Sequence, residues 1–589
     1  MNNKTKISRQ ALLLIVIFLI SVAIFVILYQ RNRVEKEQVN IAEGSTPELS
    51  EWEIENSSLN GLPLMEDKNI YSDGIDANLY DVYISVFPTK DESGEMIDFS
   101  AFALHQSRDH TYNPILNCNI LILGQDEAID PLLSLDSKNA TIRVRGNSSR
   151  GDIYKSYKIK LTEEAAPFYG QTTLNLNKHS EDITKIATKL ETDLLIGVDN
   201  IASYRTYFMR VWIRDTSDPG DENEFKYYGL YTQMEQPNKA YLEIRGLSSS
   251  ASLYKARDFN FNSNSFLKDI NDPEYDEEEF ESILSIREAN DHSKLLEMLD
   301  ALNDGTSNFD TVFHQYFNED NYLTWLSFNL LMGNNDIINH NFILYNPDNS
   351  MTWYFIPWDF DGTLRFGDHE STLMKLPISL KGIQKLNQSV LHRRYLRLDG
   401  SLLKIQTKME ELLQETVTRE NIDELITLYR PVLAETIPLY PDIELLDAMT
   451  PVEHELYLDH LYDGILTNYD NFIESSKYPS PMYVATPVKN ADGTMHFAWE
   501  VSYSYQGLPV TYSVRVYSDY YMENLLLEQT NIVDTEYDSE AHLGPGVYYV
   551  QVTATDREGH EQLSMERFET MLTDVKGYNV NGLLEFTVE

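Results

Sequence analysis

The alternation of apolar and polar positions divides the chain into five segments. Residues 11–29 form one uncharged apolar run, long enough to cross the roughly 30 Å hydrocarbon core of a bilayer as a helix. Residues 1–10 before it are a short tail, and residues 30–75 after it are polar with little periodicity, which predicts a stalk. From residue 76 onward, period-2 and period-3.6 patterns replace one another, which predicts folded domains at 76–475 and 480–589.

The apolar run predicts a retained membrane anchor rather than a cleaved signal peptide. It is longer than a usual signal-peptide core and is followed by Gln30-Arg31-Asn32-Arg33 instead of small residues. Charge does not give its orientation, because three basic residues precede it and three follow it closely. We expect the bulk of the chain to lie outside the cytoplasm because of the domain types described below.

Residues 76–475 predict an α+β, two-lobed domain. The first lobe, about 76–245, is rich in short strand-like runs interrupted by one helical pattern at 183–195. The second lobe, about 266–475, is mostly helical apart from one short hairpin. Ligands are often bound in the cleft between two such lobes.

Residues 480–589 predict an all-β sandwich. Alternation is clear around Trp499, around Tyr512, and after the turn Gly544-Pro545-Gly546. The strand 543–552 resembles the tyrosine-corner strand of fibronectin type III domains, with Trp499 in the place of their early core tryptophan. The resemblance implies a spacer or an adhesion module, with a possible cell-surface or glycan contact.

Composition excludes some classes of function. The chain has 93 acidic against 47 basic residues and a net charge of −46, which repels nucleic acid phosphates, so no nucleic acid partner is expected. A phosphate pocket must then be a local positive island. The single cysteine, Cys118, allows neither an intrachain disulfide nor a cysteine-based zinc site, and its apolar surroundings predict a buried thiol.

The strongest chemical signal is a pair of carboxylate clusters. A predicted helix at 322–332 ends at a glycine and leads into a loop from Asp336 to Asn341, and a hairpin then leads to Asp359 and Asp361. Phosphoryl transfer needs one carboxylate near the attacking hydroxyl, together with Asp and Asn oxygens that hold Mg²⁺ against nucleotide phosphates. The alternative is that these residues only make turns and helix caps.

A second segment carries an unusual density of cations. Arg145, Lys155, Lys158 and Lys160 lie on two strands joined by a glycine-containing turn. Lys158 and Lys160 share one face of their strand, which suits phosphate binding. Charged alternation is also typical of a solvated edge strand, so this pattern is weak by itself.

These two segments, in this order, resemble the spore coat protein H (CotH) kinase family over about residues 76–475. The motifs that carry the resemblance are Arg145-Gly146-Asn147-Ser148-Ser149 with Lys155 to Lys160, Gly229 to Glu235, Leu253-Tyr254-Lys255, Gly333 to Asp336 with Asn341, and Phe355 to Asp361. The resemblance implies a divergent protein-kinase fold, ATP with Mg²⁺ or Mn²⁺ as cofactors, and phosphorylation of Ser or Thr on extracytoplasmic proteins.

The resemblance also implies roles for the two carboxylate clusters. Asp336 is expected to be the catalytic aspartate, with Asn341 supporting catalysis. Asp359 is expected to bind the metal, with Asn341 and Asp361 as further metal ligands. His340, beside Asn341, is more typical of a structural loop histidine than of a base or ligand.

The nucleotide is expected to contact the cationic strands. Arg145, Lys155, Lys158 and Lys160 are the candidates for phosphate contacts. Many family members have a Lys-Lys pair before this strand, whereas here Tyr154 precedes Lys155, which leaves the principal phosphate lysine open.

Three further positions are nucleotide-site candidates by the same resemblance. Trp353 is expected to pack on adenine, with an ordinary hairpin aromatic as the alternative. Glu235 is expected at the hinge between the lobes, and Glu191 on a helix that orients a lysine.

The sequence therefore predicts a membrane-anchored, extracytoplasmic atypical kinase. The alternative is a non-catalytic surface adhesin or carbohydrate-associated scaffold with a vestigial kinase-like fold. A calcium-binding structural protein is disfavoured, because no Asp-x-Asp-x-Asp-Gly loop is present.

Overall fold

The computed structural model describes residues 61–104, 112–124, 127, 135–146, 148–217, 224–367, 376–573 and 576–589. The predicted tail, the predicted anchor at 11–29 and the stalk up to residue 60 lie outside these residues. None of the helices in the described part of the chain is long and apolar enough to span a membrane.

The first lobe is a closed seven-stranded barrel in the order β1-β4-β5-β6-β7-β9-β8. Only the β1–β8 pair closes it in parallel, and the other neighbours are antiparallel. The elements of this lobe are β1 (Leu79–Phe87), β2 (Thr89–Lys90), β3 (Met96–Ile97), α1 (Ser100–Ala103), β4 (Leu116–Leu123), β5 (Ala140–Arg145), β6 (Ser156–Leu161), β7 (Thr173–Asn177), α2 (Ala187–Leu195), β8 (Thr206–Asp215), β9 (Lys226–Met234) and α3 (Lys239–Ile244).

The barrel forms because its strands alternate between buried and exposed side chains. In β5, Ile142 and Val144 point into the barrel core and Arg143 and Arg145 point outward. Cys118 lies in the same core, and burial raises the pKa of its thiol to about 12. The prediction of a buried thiol is confirmed.

The second lobe combines a four-stranded sheet with a helical layer. The sheet has the order β11-β10-β12-β13, so the predicted hairpin is only half of it. The other two strands, β10 and β11, were not predicted, because each is a five-residue run that lies among turns and helices. The elements are β10 (Ser252–Ala256), α4 (Glu277–Ile283), β11 (Leu284–Glu288), α5 (Ser293–Asn303), α6 (Phe309–Tyr316), α7 (Glu319–Met332), β12 (Phe342–Asn346), β13 (Tyr354–Pro357), α8 (Val390–Leu396), α9 (Ser401–Glu415), α10 (Arg419–Thr436), α11 (Pro451–Asp459) and α12 (Leu461–Ser475).

Helix α7 leads directly into the first carboxylate loop. The Asn318 side chain accepts the backbone N–H of Asn321 at the helix start, and Gly333 ends the helix at φ 73°. Between these ends nearly every side chain is buried, so α7 is the central helix of the lobe. The predicted helix at 322–332 is therefore observed, one turn longer at its start.

The lobes are joined by a buried ion pair. Lys178 Nζ lies 2.6 Å from Asp442 Oδ1, and each side chain is only 1% exposed. Asp442 also accepts the backbone N–H of Leu230 in β9. Gly229 has φ +96°, and a Cβ there would lie 2.3 Å from Lys178 Nζ, so a side chain at this position would collide with the pair.

The C-terminal region is a β-sandwich, as its alternation predicts. One sheet is β14-β15-β18, and the other is β17-β16-β19-β20 with β23 beside β19. Their facing side chains share one core, and Tyr548 Oη donates to the carbonyl of Gly544 as a tyrosine corner would. Membership of the fibronectin type III family stays a prediction. The strands are β14 (Val488–Lys489), β15 (Met495–Ala498), β16 (Val510–Tyr517), β17 (Leu525–Ile532), β18 (Glu536–Ser539), β19 (Gly546–Asp556), β20 (Glu561–Leu563), β21 (Arg567–Thr573), β22 (Lys576–Asn581) and β23 (Leu584–Val588).

Residues 61–75 belong to the folded part and not to the predicted stalk. Leu64 is buried in the core that β10, β12 and β13 share with the first lobe. Glu66 lies 2.8 Å from Arg245 in a fully buried ion pair. The polar composition of this segment did not indicate that it folds, because a few specific contacts hold it in place and not a periodic apolar face.

Candidate functional site

The hairpin β12–β13 brings the two carboxylate clusters together. Its register pairs Phe342 with Pro357, so the loop that ends at Asn341 and the segment that begins at Trp358 are at the same end. Strand β10 pairs with β12 so that Lys255 faces Ile343, close to that end. The loop, Asp359 and the end of β10 therefore meet at one edge of the sheet.

The loop presents Asp336 to solvent while its neighbours are held. The backbone N–H of Asp336 donates to Asn334 Oδ1, and Asn341 is nearly buried at φ 61°. His340 Nε2 lies 3.6 Å from Asp336 Oδ2, and this interaction lowers the pKa of Asp336, with a smaller effect of the Lys385 charge. Asp336 is thus an ionised, accessible carboxylate on a fixed loop.

Asp359 is a carboxylate at this edge whose pKa is shifted by its surroundings. Burial raises its pKa, and the nearby charge of Asp361 raises it further, while Lys255, Arg145 and His179 act in the opposite direction. Its backbone lies in the left-handed region at φ 63°. Non-glycine residues adopt this conformation uncommonly, although Asp does so more readily than most.

Basic side chains from both lobes surround this carboxylate pair. Burial, together with the charges of positive neighbours, lowers the pKa of Lys158 to about 8 and that of Lys255 to about 7. The Asp359 charge raises the pKa of Lys255, which places the two groups near one another. We call this group the cationic cluster; its members are Arg143, Arg145, Lys158, Lys255, Arg257 and Arg287.

The cationic cluster fits a bound polyanion. Arg143 and Lys158 face each other directly across β5 and β6, an arrangement of like charges that is unfavourable without a counterion. The buried Nε of Arg287 has no hydrogen-bond partner among the described residues. Because an unpartnered buried donor is costly, a phosphate oxygen would stabilise this arrangement.

The carboxylate pair fits Mg²⁺ or Mn²⁺. No group of three or more His, Cys, Asp and Glu side chains in the described ranges is arranged to hold a metal ion. Mg²⁺ needs only one or two carboxylates, since water and substrate phosphates complete its shell. The mutual repulsion of Asp359 and Asp361 is what a divalent cation would relieve.

Two predicted phosphate ligands lie at the margin of the cationic cluster. Lys155 is buried before β6, where its Nζ donates to the carbonyl of Arg150 at 2.7 Å. It therefore fixes the turn between β5 and β6. Lys160 lies on the same outward face as Lys158, two residues further along β6, and its side chain is exposed.

Glu235 occupies a structural position. Its carboxylate accepts from Arg205 Nε at 2.8 Å and from Arg245, which is fully buried. Burial raises the pKa of Glu235, but the charges of Arg245 and Arg205 outweigh that effect and the net pKa is lowered. With both oxygens bound by arginine, Glu235 holds the junction after β9, and the structure does not bring it to the cationic cluster.

Trp353 is also placed away from the cationic cluster. The ring is 1% exposed and packs against Tyr254 in the core between the sheet and the helices. The backbone N–H of Trp353 donates to the carbonyl of Tyr316 at 2.7 Å. Its position matches the alternative of an ordinary hairpin aromatic, because its face of the sheet packs on the helices and not on the barrel.

Glu191 contacts the segment that carries Asp359 and Asp361, and not the lysine that was expected. It lies fully buried on α2, and its carboxylate accepts from the Thr363 hydroxyl, two residues after Asp361. Burial raises its pKa well above the ordinary value. The Glu191 carboxylate therefore holds the segment that follows Asp361, and no contact among the described residues joins it to a lysine.

The sequence interpretation did not assign roles to Lys255, Arg287 or His179. Lys255 is part of one resembling motif, and that was the only signal for it. His179 Nδ1 lies 4.0 Å from Asp361 Oδ2, and its backbone has φ 51°. These residues come from three strands or turns that the fold joins over long sequence separations, which local patterns do not report.

Comparison with known proteins supports the family resemblance that these motifs indicate. The sequence model of the family described as CotH kinase protein matches residues 142–444, just over half of the chain and all the predicted site residues. The inner spore coat protein H of Bacillus subtilis (strain 168) is 22% identical over 316 residues, which are 53% of this chain and 82% of that protein. The crystal structure of the Helicobacter pylori proinflammatory kinase CtkA covers 59% of this chain and 96% of its own, at 11% identity and a TM-score of 0.19, too low to support an argument.

Proposed function

This chain belongs to the family of CotH kinase proteins, and we propose that it transfers the γ-phosphate of ATP to Ser or Thr hydroxyls of proteins. One observation carries the proposal. The cationic cluster, drawn from both lobes, meets the Asp359–Asp361 pair at the edge where the loop from Asp336 to Asn341 ends. Phosphoryl transfer requires these three parts together.

The basic residues would bind and orient the phosphate chain. Arg145 and Lys158 approach from the barrel, and Lys255 and Arg287 from the second sheet. Guanidinium groups can bind phosphate oxygens through two hydrogen bonds, which fixes orientation as well as position. Closure of the two lobes on the same anion would also exclude water from it.

The carboxylates would have two separate roles, metal binding and activation of the acceptor hydroxyl. Asp359 and Asp361, with Asn341 in support, would hold Mg²⁺ or Mn²⁺. Bound ATP and the metal would supply the phosphoryl group and neutralise the charge on its oxygens. Asp336, ionised and accessible, would orient the acceptor hydroxyl and take its proton.

The place of action is part of the proposal. The apolar run at 11–29 supports a single-pass anchor, with the folded part outside the cytoplasm and an extracytoplasmic protein as substrate. The C-terminal sandwich supports a surface or glycan contact. A second candidate, a scaffold with a vestigial kinase fold, is disfavoured because Arg143 opposite Lys158 is unfavourable unless an anion binds there.

Incorporation of labelled phosphate tests the proposal. The purified full chain is incubated with γ-labelled ATP and Mg²⁺ or Mn²⁺, alone and with a general Ser/Thr acceptor protein. We expect metal-dependent labelling of Ser or Thr that is lost in Asp336→Ala and Asp359→Ala. Asp348→Ala, at an exposed turn of the same hairpin, is the matched control. Folded protein without any labelling would refute the enzymatic proposal and favour the scaffold.

A further inference from the structure

A cavity of about 690 Å³ lies where the helical layer meets the C-terminal sandwich. One wall is the segment from Leu302 to Phe309, the second is α8 with the turn that follows it, and the third is formed by Glu500 and Val501. The cavity has the size of a small-molecule site, and such sites are frequent where two parts of a protein meet. None of its lining residues belongs to the cationic cluster or to the carboxylate clusters.

Three arginines of one helix end line this cavity. They are Arg393, Arg394 and Arg397, in a chain with twice as many acids as bases. Arg394 Nη1 donates to the carbonyls of Leu302 at 2.7 Å and Asp304 at 2.9 Å, and its guanidinium lies 4.6 Å from the Phe309 ring centroid. These contacts fix Arg394 in place before any ligand arrives.

The other two arginines connect the cavity to the sandwich. The Arg397 guanidinium lies 4.7 Å from the centroid of Tyr503, and Arg393 Nη1 lies 3.9 Å from Glu500 Oε2. Glu500 is the only carboxylate among the described lining residues, so positive charge is in excess. Burial lowers the pKa of Arg394, the nearby Asp304 carboxylate opposes this effect, and the Arg397 charge adds to it.

The rest of the lining is mixed in character. Asn262, Asn303 and Glu500 offer hydrogen-bonding groups, while the apolar positions suit the carbon face of a ring. The occupant must therefore combine an anionic group, hydrogen-bonding groups and a compact body. The apolar lining residues are Leu302, Phe309, Val390, Leu398 and Val501.

We propose that this cavity binds an acidic sugar, in which a hydroxylated ring carries a phosphate or a carboxylate group. The arginines bind the anionic group through paired N–H donors. Asn262 and Glu500 bind ring hydroxyls. The site is independent of ATP and connects sugar binding to the junction between the helical layer and the sandwich.

Calorimetric titration of the full chain tests this proposal. Glucose 6-phosphate and glucuronate are titrated separately, which tells a phosphate from a carboxylate ligand, and glucose is the neutral control. Each titration is repeated with saturating ATP and Mg²⁺. We expect saturable binding of at least one acidic sugar, at least about tenfold tighter than glucose, and unchanged by ATP.

Two variants assign the binding to the cavity. Val501→Trp fills it from an exposed position without removing any arginine, since Val501 is 57% exposed. Arg393→Gln with Arg397→Gln removes two of the three positive charges and leaves Arg394. Both are expected to weaken binding at least about tenfold. Val533→Trp, at a 76% exposed valine outside the cavity, and Arg419→Gln are the matched controls and should bind as the parent does.

Three results would overturn the proposal. One is the absence of saturable binding of both acidic sugars. Another is binding that ATP abolishes, which would place the sugar phosphate on the cationic cluster. The third is undiminished binding by Val501→Trp. Since labelling by ATP is measured separately, failure here leaves the kinase proposal untouched.

Discussion

At the scale of single residues, the site is defined by like charges that lie side by side. Lys158 faces Arg143 across the barrel wall, and Asp359 lies beside Asp361. Each arrangement is unfavourable alone, and each would be compensated by a ligand of opposite charge. The free protein stores this repulsion, so ligand binding should change both protonation and stability.

Binding of ATP with Mg²⁺ should draw a proton onto Lys158. Its pKa is lowered to about 8 in the free protein, and phosphate charge would raise it, so proton uptake is expected near about pH 8. Calorimetric titrations in two buffers of different ionisation enthalpy measure that uptake. Affinity should fall as pH rises above about 8, where free Lys158 is neutral.

The variant Lys158→Gln separates this residue from the other titrating groups. It should bind ATP at least about tenfold more weakly and take up less of a proton, whereas Lys90→Gln, at an exposed lysine, should match the parent. In the free protein, the unfolded chain binds more protons than the folded chain between about pH 8 and the ordinary lysine pKa of 10.5, so stability rises across that window. Equal proton uptake by parent and variant would contradict this account.

The sequence predicted these residues unevenly. Asp336, Asn341, Asp359, Asp361, Arg145 and Lys158 are close together along two short motifs, and the fold brings those motifs toward one edge. Glu235 and Trp353 could not be placed from sequence, because an acid between two arginines and a buried ring depend on distant partners. For the same reason Lys255 and Arg287 carried no assigned role.

At the scale of elements, the fold depends on contacts between lobes that cannot be read locally. Most of the barrel strands, together with α7 and the hairpin, follow from apolar periodicity, whereas β7 was not predicted. The Lys178–Asp442 pair joins residues 264 apart in sequence, and no periodic pattern signals it. Gly229 is explained by its φ of +96° and by its contact with that pair.

Loss of this pair should destabilise the junction of the lobes. Asp442→Asn leaves the Lys178 ammonium buried without its counter-charge, at a cost of roughly 3–5 kcal/mol. The midpoint of urea unfolding measures the loss. Asp463→Asn breaks the exposed Arg419–Asp463 pair and should cost at most about 1 kcal/mol. Comparable losses in the two variants would show that the buried pair does not hold the lobes.

At the scale of the whole molecule, the sandwich is docked on the helical layer through a short loop. Tyr505 Oη accepts from Asn387 Nδ2 at 2.9 Å, and Gln506 Nε2 donates to the carbonyl of Ser476 at 2.7 Å. Burial raises the pKa of Tyr505 well above its ordinary value. The two regions thus share a polar interface beside the arginine-lined cavity.

Removal of the tyrosine should free the sandwich from the helical layer. Tyr505→Ala is expected to speed limited proteolysis between residues 476 and 482, while ATP-dependent labelling persists. Tyr521→Ala, on the sandwich surface, is the control and should be cleaved as slowly as the parent. Equal cleavage of both variants would mean that this loop contributes little to docking.

The central claim is that carboxylates and cations from two lobes hold a metal nucleotide, while Asp336 serves the acceptor. Calorimetric titration of ATP with and without Mg²⁺ tests it most directly, on the parent, Asp359→Asn, Asp336→Asn and the control Asp348→Asn. The account predicts Mg²⁺-dependent binding that Asp359→Asn loses and that Asp336→Asn and the control retain. Binding that ignores Mg²⁺, or that survives in Asp359→Asn, would contradict it.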